Sequence, residues 1–199
     1  MAGDVRGEEK KREIVRQAFD RFYDGGFHAT GVDAVLSESG ISKRTLYKYF
    51  PTKDALIEAV LELYGQVIVG RLFDPVAASS EEPHQQIMAF FDARKAMIDE
   101  NPTRGCLGIK AAQEFVGKHA GLAAHGKRAA LYVERRFIDL CERARLARPA
   151  EVGKQIHVLF QGALLLSQVY GDGSPFVSAK HAVAALLEAA DGPTSSGRP

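Results

Sequence analysis

Cysteine is scarce in this chain of 199 residues, with only Cys106 and Cys141, far apart and outside any CxxC pattern. We therefore expect neither a disulfide framework nor a zinc knuckle, and interpret both cysteines as small packing residues. Six histidines are scattered along the sequence, and no pair has the i, i+4 spacing of a helical metal site. No metal ligand is predicted.

Long apolar runs are also missing. The N-terminus, MAGDVRGEEKKRE, lacks the apolar core of a signal peptide, and no later stretch reaches the roughly 18 apolar residues of a membrane span. We expect a cytoplasmic protein without a membrane partner. Lys and Arg (26) nearly balance Asp and Glu (25), so only local clustering of charge could indicate a nucleic-acid partner.

The sequence shows no signature of catalysis. It contains no nucleophile elbow, no phosphate loop and no paired carboxylates in an apolar setting. No catalytic residue and no cofactor is therefore predicted, and we do not expect an enzyme.

Apolar residues recur at helical spacing almost everywhere and strand patterns are rare, so the predicted fold is all-α. About nine helices are expected: one ending at Gly25 and Gly26, a long one from Thr52 to Pro75, and others over residues 32–39, 42–50, 83–100, 107–118, 122–147, 151–170 and 174–190. The segment DPVAASSEEP, residues 74–83, predicts a linker, and the polar, Gly- and Pro-rich residues 191–199 predict a disordered tail.

A local concentration of positive charge lies in the third predicted helix, ISKRTLYKYF. Residues 42–53 contain four cations and no acid, in a chain whose net charge is +1. Ser42 can cap the helix N-terminus, and Gly40 suits the tight turn before it. The spacing of Leu46 and Phe50 indicates a packing face, with Tyr49 partly buried beside it. This pattern favours the recognition helix of a helix-turn-helix; the alternative is a solvated basic helix.

The stretch FYDGGFHATGVDAVLSESGISKRTLYKYFPTKDALIEAVLE, residues 22–62, resembles the DNA-binding head of the TetR family of bacterial transcriptional repressors. The resemblance implies an all-helical homodimer whose C-terminal body binds a ligand and dimerises through its last two long helices. It implies phosphate contacts by Thr30, Thr45, Tyr47 and Lys53, and base contacts by Lys43, Arg44 and Lys48. Arg44 could reach a base edge or only a phosphate. Gly31, at the start of the second helix, weakens the helix cap, although Thr30 could serve instead.

The body resembles the family less specifically. RGCLGIKAAQEF, residues 104–115, is similar to a Gly-Cys-Leu segment that borders the ligand cavity in one group of these regulators. A pocket for a small apolar or amphipathic ligand would then include Phe90, Phe91, Met97, Cys106, Gln113, Tyr132, Phe160, Gln161 and Leu164. The alternative for each of these residues is that it is an ordinary packing residue of the hydrophobic core. Cys106 also admits a redox-sensing interpretation.

The last two helices hold more apolar surface than one subunit needs, which predicts a homodimer interface at Ile156, Leu159, Ala163, Leu166, Val183 and Leu187. The predicted organisation is a helix-turn-helix domain over residues 1–55 and a helical ligand-binding and dimerisation domain over residues 56–190. We expect a repressor released from a palindromic operator in double-stranded DNA by a small ligand. The alternatives are a ligand-independent DNA-organising protein on the same fold, or a helical carrier or enzyme with a vestigial head.

Overall fold

The computed structural model describes residues 2–37 and 39–191. Within them lie ten α-helical segments and one π-helical turn, Val69–Phe73. The segments are α1 Ala2–Gly25, α2 Val32–Leu36, α3 Lys43–Tyr49, α4 Lys53–Ile68, α5 Asp74–Ser79, α6 Pro83–Glu100, α7 Leu107–Phe115, α8 Ala120–Arg143, α9 Pro149–Tyr170 and α10 Ser174–Ala190. No strand occurs in these residues, which confirms the all-α fold.

The predicted linker at residues 74–83 is wrong over its first part, because residues 74–79 form α5. Pro75 lies in the first turn of this helix, where a missing N–H costs no intrahelical hydrogen bond. Immediately before it, the Asp74 N–H donates to the Val69 carbonyl in the wider π spacing. Pro75 thus begins a helix, whereas the sequence pattern suggested that it ends one.

Other helix bounds differ less from the prediction. The second helix ends at Leu36 and not at residue 39, because the hydroxyls of Ser37 and Ser39 donate to the carbonyls of Ala34 and Leu36. The predicted disordered tail lies outside the described residues, apart from Asp191.

The described residues form two compact units. The first comprises residues up to 67 together with 106–129, and the second comprises 68–105 and the residues from 130 onward. The sequence predicts a division at residue 55 instead. The difference arises because α7 packs with the N-terminal helices, to which two of its side chains are hydrogen-bonded.

Each unit has its own apolar core. In the first unit the fully buried side chains include Ile14, Phe22, Phe27, Leu46, Leu56 and Ile57. In the second unit α10 packs on α9 and α6, around a cluster of aromatic rings from Phe90, Phe91, Phe137, Phe160 and Phe176. None of the described helices is both long enough and apolar enough to cross a membrane.

Candidate nucleic-acid interface

The helix α3 has one buried and one exposed face. Leu46 is fully buried and Phe50 nearly so, and these two side chains fix the helix on the core of the first unit. The opposite side is open: Lys43, Arg44 and Lys48 are exposed, and Tyr47 is 41% exposed. A narrow apolar anchor therefore leaves most of a two-turn helix available to a partner.

The start of α3 is held by hydroxyl groups. The Ser42 Oγ accepts the Thr45 backbone N–H at 3.1 Å, which caps the helix, and lies 2.8 Å from the Thr45 hydroxyl. In the preceding turn the Ser39 hydroxyl donates to the Leu36 carbonyl and accepts from the Ile41 N–H, both at 3.0 Å. Gly40 has a φ of +63°, a conformation that favours glycine. These contacts fix the turn between α2 and α3.

The four cations of residues 42–53 differ in their surroundings. Lys43 forms an ion pair with Asp33 of α2, with Nζ to carboxylate distances of 2.9 and 3.0 Å. This hydrogen bond, and the negative charge behind it, raise the pKa of Lys43 above its ordinary value. Lys48 lies 5.4 Å from the centre of the Tyr49 ring, and Lys53 lies 6.0 Å from that of Phe22.

Arg44 has a different environment. Its side chain is exposed, and no ion pair involving it occurs within residues 2–37 and 39–191. A guanidinium held in water at the first turn of a helix is positioned for either a base edge or a phosphate.

Thr30 is placed differently from the other predicted contact residues. It is only 7% exposed, and its hydroxyl donates to the Arg21 carbonyl at 3.2 Å. Thr30 does not cap α2, whose N-cap is Gly31 without a side-chain hydrogen bond. The hydroxyl therefore joins the end of α1 to the loop before α2.

Two residues of α7 bind the end of α1 and the loop that follows it, and the sequence did not predict them. The Glu114 carboxylate accepts the backbone N–H groups of Phe27 at 3.1 Å and His28 at 2.8 Å. Lys110 donates to the Tyr23 carbonyl at 2.6 Å. Gly26, with a φ of +81°, lies directly under the carboxylate, since a Cβ there would be 3.1 Å from a Glu114 oxygen. No local sequence pattern links groups 86 or 87 residues apart.

The nine predicted pocket residues are divided between the units. Cys106 and Gln113 belong to the first, and the other seven belong to the second. Phe90, Phe91, Phe160 and Leu164 are buried, Met97, Cys106 and Gln161 are half-buried, and Gln113 and Tyr132 are exposed. The structure thus brings Phe90, Phe91 and Phe160 into the aromatic cluster and leaves Gln113 on the surface.

Polar groups also lie inside the second unit. His157 is 9% exposed; its Nδ1 lies 3.4 Å from Glu134, and its Nε2 lies 3.1 Å from the Gln161 amide. Burial lowers the pKa of His157, although Glu134 opposes the shift. Burial likewise raises the pKa of the Cys141 thiol to about 11, so this cysteine stays protonated at neutral pH. Among the described residues, no group of three or more His, Cys, Asp or Glu could hold a metal ion.

Most of the residues predicted for the dimer interface are already covered inside one subunit. Four of the six are buried within the single chain, namely Ile156, Ala163, Val183 and Leu187. Leu166 is 42% exposed, and Leu159 is half-buried.

The outward apolar residues of α9 and α10 form a different set, which we call the α9–α10 face: Val158, Leu165, Leu166, Val169, Tyr170 and Val177. A shallow hollow of about 580 Å³ adjoins it, lined by Lys154, Gln155, Val158, Leu159, Ala182 and Leu186. Exposed apolar residues in such number are typical of a surface that contacts another protein.

The capped, cation-rich α3 and the turn before it define a helix-turn-helix protein. Residues 14–60 match the sequence model of the family described as bacterial regulatory proteins, tetR family. The match covers residues 14–60 and therefore characterises the N-terminal segment that contains α2 and α3. The relatives and solved structures that it resembles are described as transcriptional regulators.

Individual relatives match over only part of the chain. The HTH-type transcriptional regulator RutR of Escherichia coli K12 is 37% identical over 78 residues, which are 36% of this chain and 37% of RutR. The uncharacterised HTH-type regulator YxaF of Bacillus subtilis is 32% identical over 96 residues, covering 47% of this chain and 49% of YxaF. The aligned region is thus less than half the length of either relative.

The likeness to solved structures extends over the fold. A TetR-family regulator from Streptomyces coelicolor superposes with a TM-score of 0.84 at 20% identity, over 92% of this chain and 97% of that one. A TetR regulator from Chloroflexus aurantiacus gives a TM-score of 0.82, also at 20% identity, over 92% and 96% of the two chains. At this identity the agreement concerns the architecture.

Proposed function

We propose that this protein is a cytoplasmic, homodimeric repressor that binds a palindromic operator through α3 and is released by a small organic ligand. The observation that supports it best is the exposed face of α3, where Arg44, Tyr47 and Lys48 project from a helix fixed by Leu46 and Phe50. A short helix of this kind fits the major groove with its first residues near the bases.

In this proposal some residues in and around α3 contact DNA bases and others contact phosphates. Arg44 and Lys48, both exposed, read base edges, and Lys43 joins them when a phosphate or base competes with Asp33. Tyr47 and Lys53 contact phosphates, together with the hydroxyls of Ser42 and Thr45 at the positive end of the helix dipole. Thr30 acts indirectly, because its hydroxyl already binds the Arg21 carbonyl.

The α9–α10 face supports the homodimer. Val158, near the middle of α9, and Val169, in its last turn, are each 71% exposed, which is a high exposure for valine side chains. A twofold axis through this face would cover it with its own copy, as an isologous interface requires. Two copies of α3 would then meet two half-sites about 34 to 36 Å apart, or somewhat more.

Release by a ligand requires that the ligand bind the DNA-competent and DNA-free conformations with different affinities. Within the first unit, α7 is a suitable moving part, because Glu114 binds the loop between α1 and α2 and Lys110 binds the last turn of α1. A shift of α7 would release two hydrogen bonds to that loop and one to the last turn of α1.

One observation favours the second candidate, a ligand-independent DNA-organising protein. Phe91 packs against Phe137, Phe160 and Phe176 with ring centres 5.5 to 6.3 Å apart, so rings predicted to line a pocket already fill space for each other.

Selection of operator sequences from random DNA separates the candidates. A repressor is expected to enrich an inverted repeat and to bind it at least about 10³-fold more tightly than random DNA at physiological salt. Equal affinity for selected and random DNA would support the organising protein and contradict the proposed function.

A further inference from the structure

The second unit contains a buried positive charge without an acidic partner. Arg94 of α6 is 2% exposed. One Nη donates to the Gly105 carbonyl at 2.7 Å, and the other lies 3.6 Å from the Met97 sulfur. No carboxylate forms an ion pair with Arg94 in the described part of the chain.

The acids nearest in sequence are engaged elsewhere. Asp92 pairs with Lys180 of α10 at 2.6 Å, and Asp99 pairs with Lys95 at 2.5 Å. Both of these pairs lie at the surface, where a carboxylate costs little. Among the residues that the structure describes, the Arg94 guanidinium therefore has hydrogen bonds only to a carbonyl oxygen and a thioether.

Such an arrangement is energetically costly. A guanidinium stays protonated at every physiological pH, so Arg94 cannot reduce the cost of burial by losing its charge. Two neutral acceptors satisfy part of its hydrogen-bonding capacity but leave the charge uncompensated. An anion that entered this site would gain a charge-assisted hydrogen bond in surroundings of low polarity.

The residues around Arg94 indicate what the uncharged part of such an anion would be. Phe90 and Phe91 precede Arg94 by one helical turn on the buried face of α6, so the cation adjoins the aromatic cluster, whose rings the apolar body of a ligand would contact. Met97 is half-buried and flexible, and its N–H···S contact at 3.6 Å is the weakest that Arg94 makes. It is the contact that a ligand oxygen would replace at least cost.

The charge balance favours a monoanion. The other buried basic side chain of the described residues in this unit is His157. Its pKa is lowered by burial, so it adds no second positive charge at neutral pH. A dianionic phosphate would therefore bring in one charge more than the site can balance, whereas a carboxylate matches it.

We propose that the second unit binds an organic carboxylate with an apolar body of about one ring, whose carboxylate pairs with Arg94 in place of the Met97 thioether. This inference rests on the proposed ligand response and names the chemical class of the ligand. The competing role for Arg94 is structural: its bond to the Gly105 carbonyl would fasten the segment after α6.

Calorimetric titration of the full chain without DNA tests the inference. The probes are 4-phenylbutyrate and octanoate, each compared with its primary amide, which has the same shape without the charge. Wild type is expected to bind at least one acid about tenfold or more tightly than its amide. Arg94→Gln, which keeps an N–H donor for the Gly105 carbonyl, should lose this preference, and Arg94→Lys should keep part of it.

Two results would overturn the inference: a wild type that binds neither acid more tightly than its amide, or an Arg94→Gln variant that keeps the preference. If Arg94→Gln does not fold, the wild-type titrations and Arg94→Lys still decide. Met97→Leu, which leaves the charge in place, serves as the matched control and should keep the preference for acids.

DNA release is measured separately, by fluorescence anisotropy of the selected operator. An acid that binds but leaves the operator complex intact would contradict the proposed release and keep the carboxylate site. If the operator complex forms normally but no acid binds, the carboxylate site is contradicted and the proposed DNA binding is kept.

Discussion

The exposed surfaces of α3 and of α9 with α10 are opposite in character, and the comparison shows how each surface predicts its partner. The helix α3 hides two apolar side chains and exposes cations, as expected of a surface that meets a polyanion. The helices α9 and α10 bury an apolar face inside the unit and expose a second one, Val158 and Val169 included. Only another apolar surface would cover that second face.

The comparison also separates what the two surfaces do for DNA affinity. In the proposed dimer the α9–α10 face contributes no DNA contact but doubles the number of α3 helices bound at once. Loss of the dimer is therefore expected to cost more affinity than loss of any single contact on α3.

The largest effect is expected from a charge on the α9–α10 face. Leu165→Glu, at a position that is 55% exposed in the single chain, would leave a carboxylate buried without a partner in the interface, which costs about 3 to 5 kcal/mol per buried charge. Sedimentation at micromolar concentration should show monomers, and binding to the palindrome should fall to the level of one half-site.

Val116→Glu provides the matched control, because Val116 is 68% exposed and lies in the other unit. This variant should remain dimeric. A Leu165→Glu protein that also remains dimeric would remove the α9–α10 face from the interface.

The next effect concerns base reading. Arg44→Ala should cost roughly 1 to 3 kcal/mol on the selected operator and relax the preference at one base position in each half-site. Lys127→Ala, which removes an exposed cation of the same unit outside α3, should change affinity much less. Equal losses on operator and random DNA would make Arg44 a phosphate contact.

A comparable or smaller effect is expected from the contact between α7 and the loop after α1. Glu114→Ala leaves the N–H groups of Phe27 and His28 without their carboxylate, so the free energy of unfolding should fall by about 1 to 2 kcal/mol. Urea denaturation measures it, with Gln113→Ala as the exposed neighbouring control. Equal stability of the two variants would show that water replaces Glu114 without cost.

The smallest effect should come from Asp33. Its carboxylate pairs with Lys43 and would lie near the DNA, so Asp33→Asn should raise affinity for every sequence by roughly two- to fivefold at low salt. In a Lys43→Ala background the gain should shrink, because no lysine is then released. A full gain in that background would show that the ion pair with Lys43 has no influence.

The sequence predicted α3 well because its determinants are local. Leu46 and Phe50 are one turn apart, Ser42 caps the helix within three residues, and Gly40 sets the turn. On α9 the periodicity could not distinguish the inner from the outer face, because apolar residues surround the helix. Burial does so: Ile156 and Ala163 point inward, while Val158 points outward.

Contacts distant in sequence could not be predicted from one chain. Glu114 reaches backbone groups 86 and 87 residues earlier, and these groups have no residue-specific signature. The lack of an acidic partner for Arg94 could not be predicted either, because it depends on the ion pairs that Asp92 and Asp99 form with Lys180 and Lys95. The sequence predicts that Pro75 ends a helix. In the structure Pro75 lies in the first turn of α5, directly after a π turn, and the periodicity of apolar residues does not reveal a π turn.

The central claim is that two α3 helices of one dimer bind the same face of operator DNA. Hydroxyl-radical footprinting of wild-type protein on the selected operator tests it most directly. The account predicts two protected patches related by twofold symmetry, with centres about one helical turn, 34 to 36 Å, or somewhat more apart. A single protected patch, or uniform protection along the fragment, would contradict it.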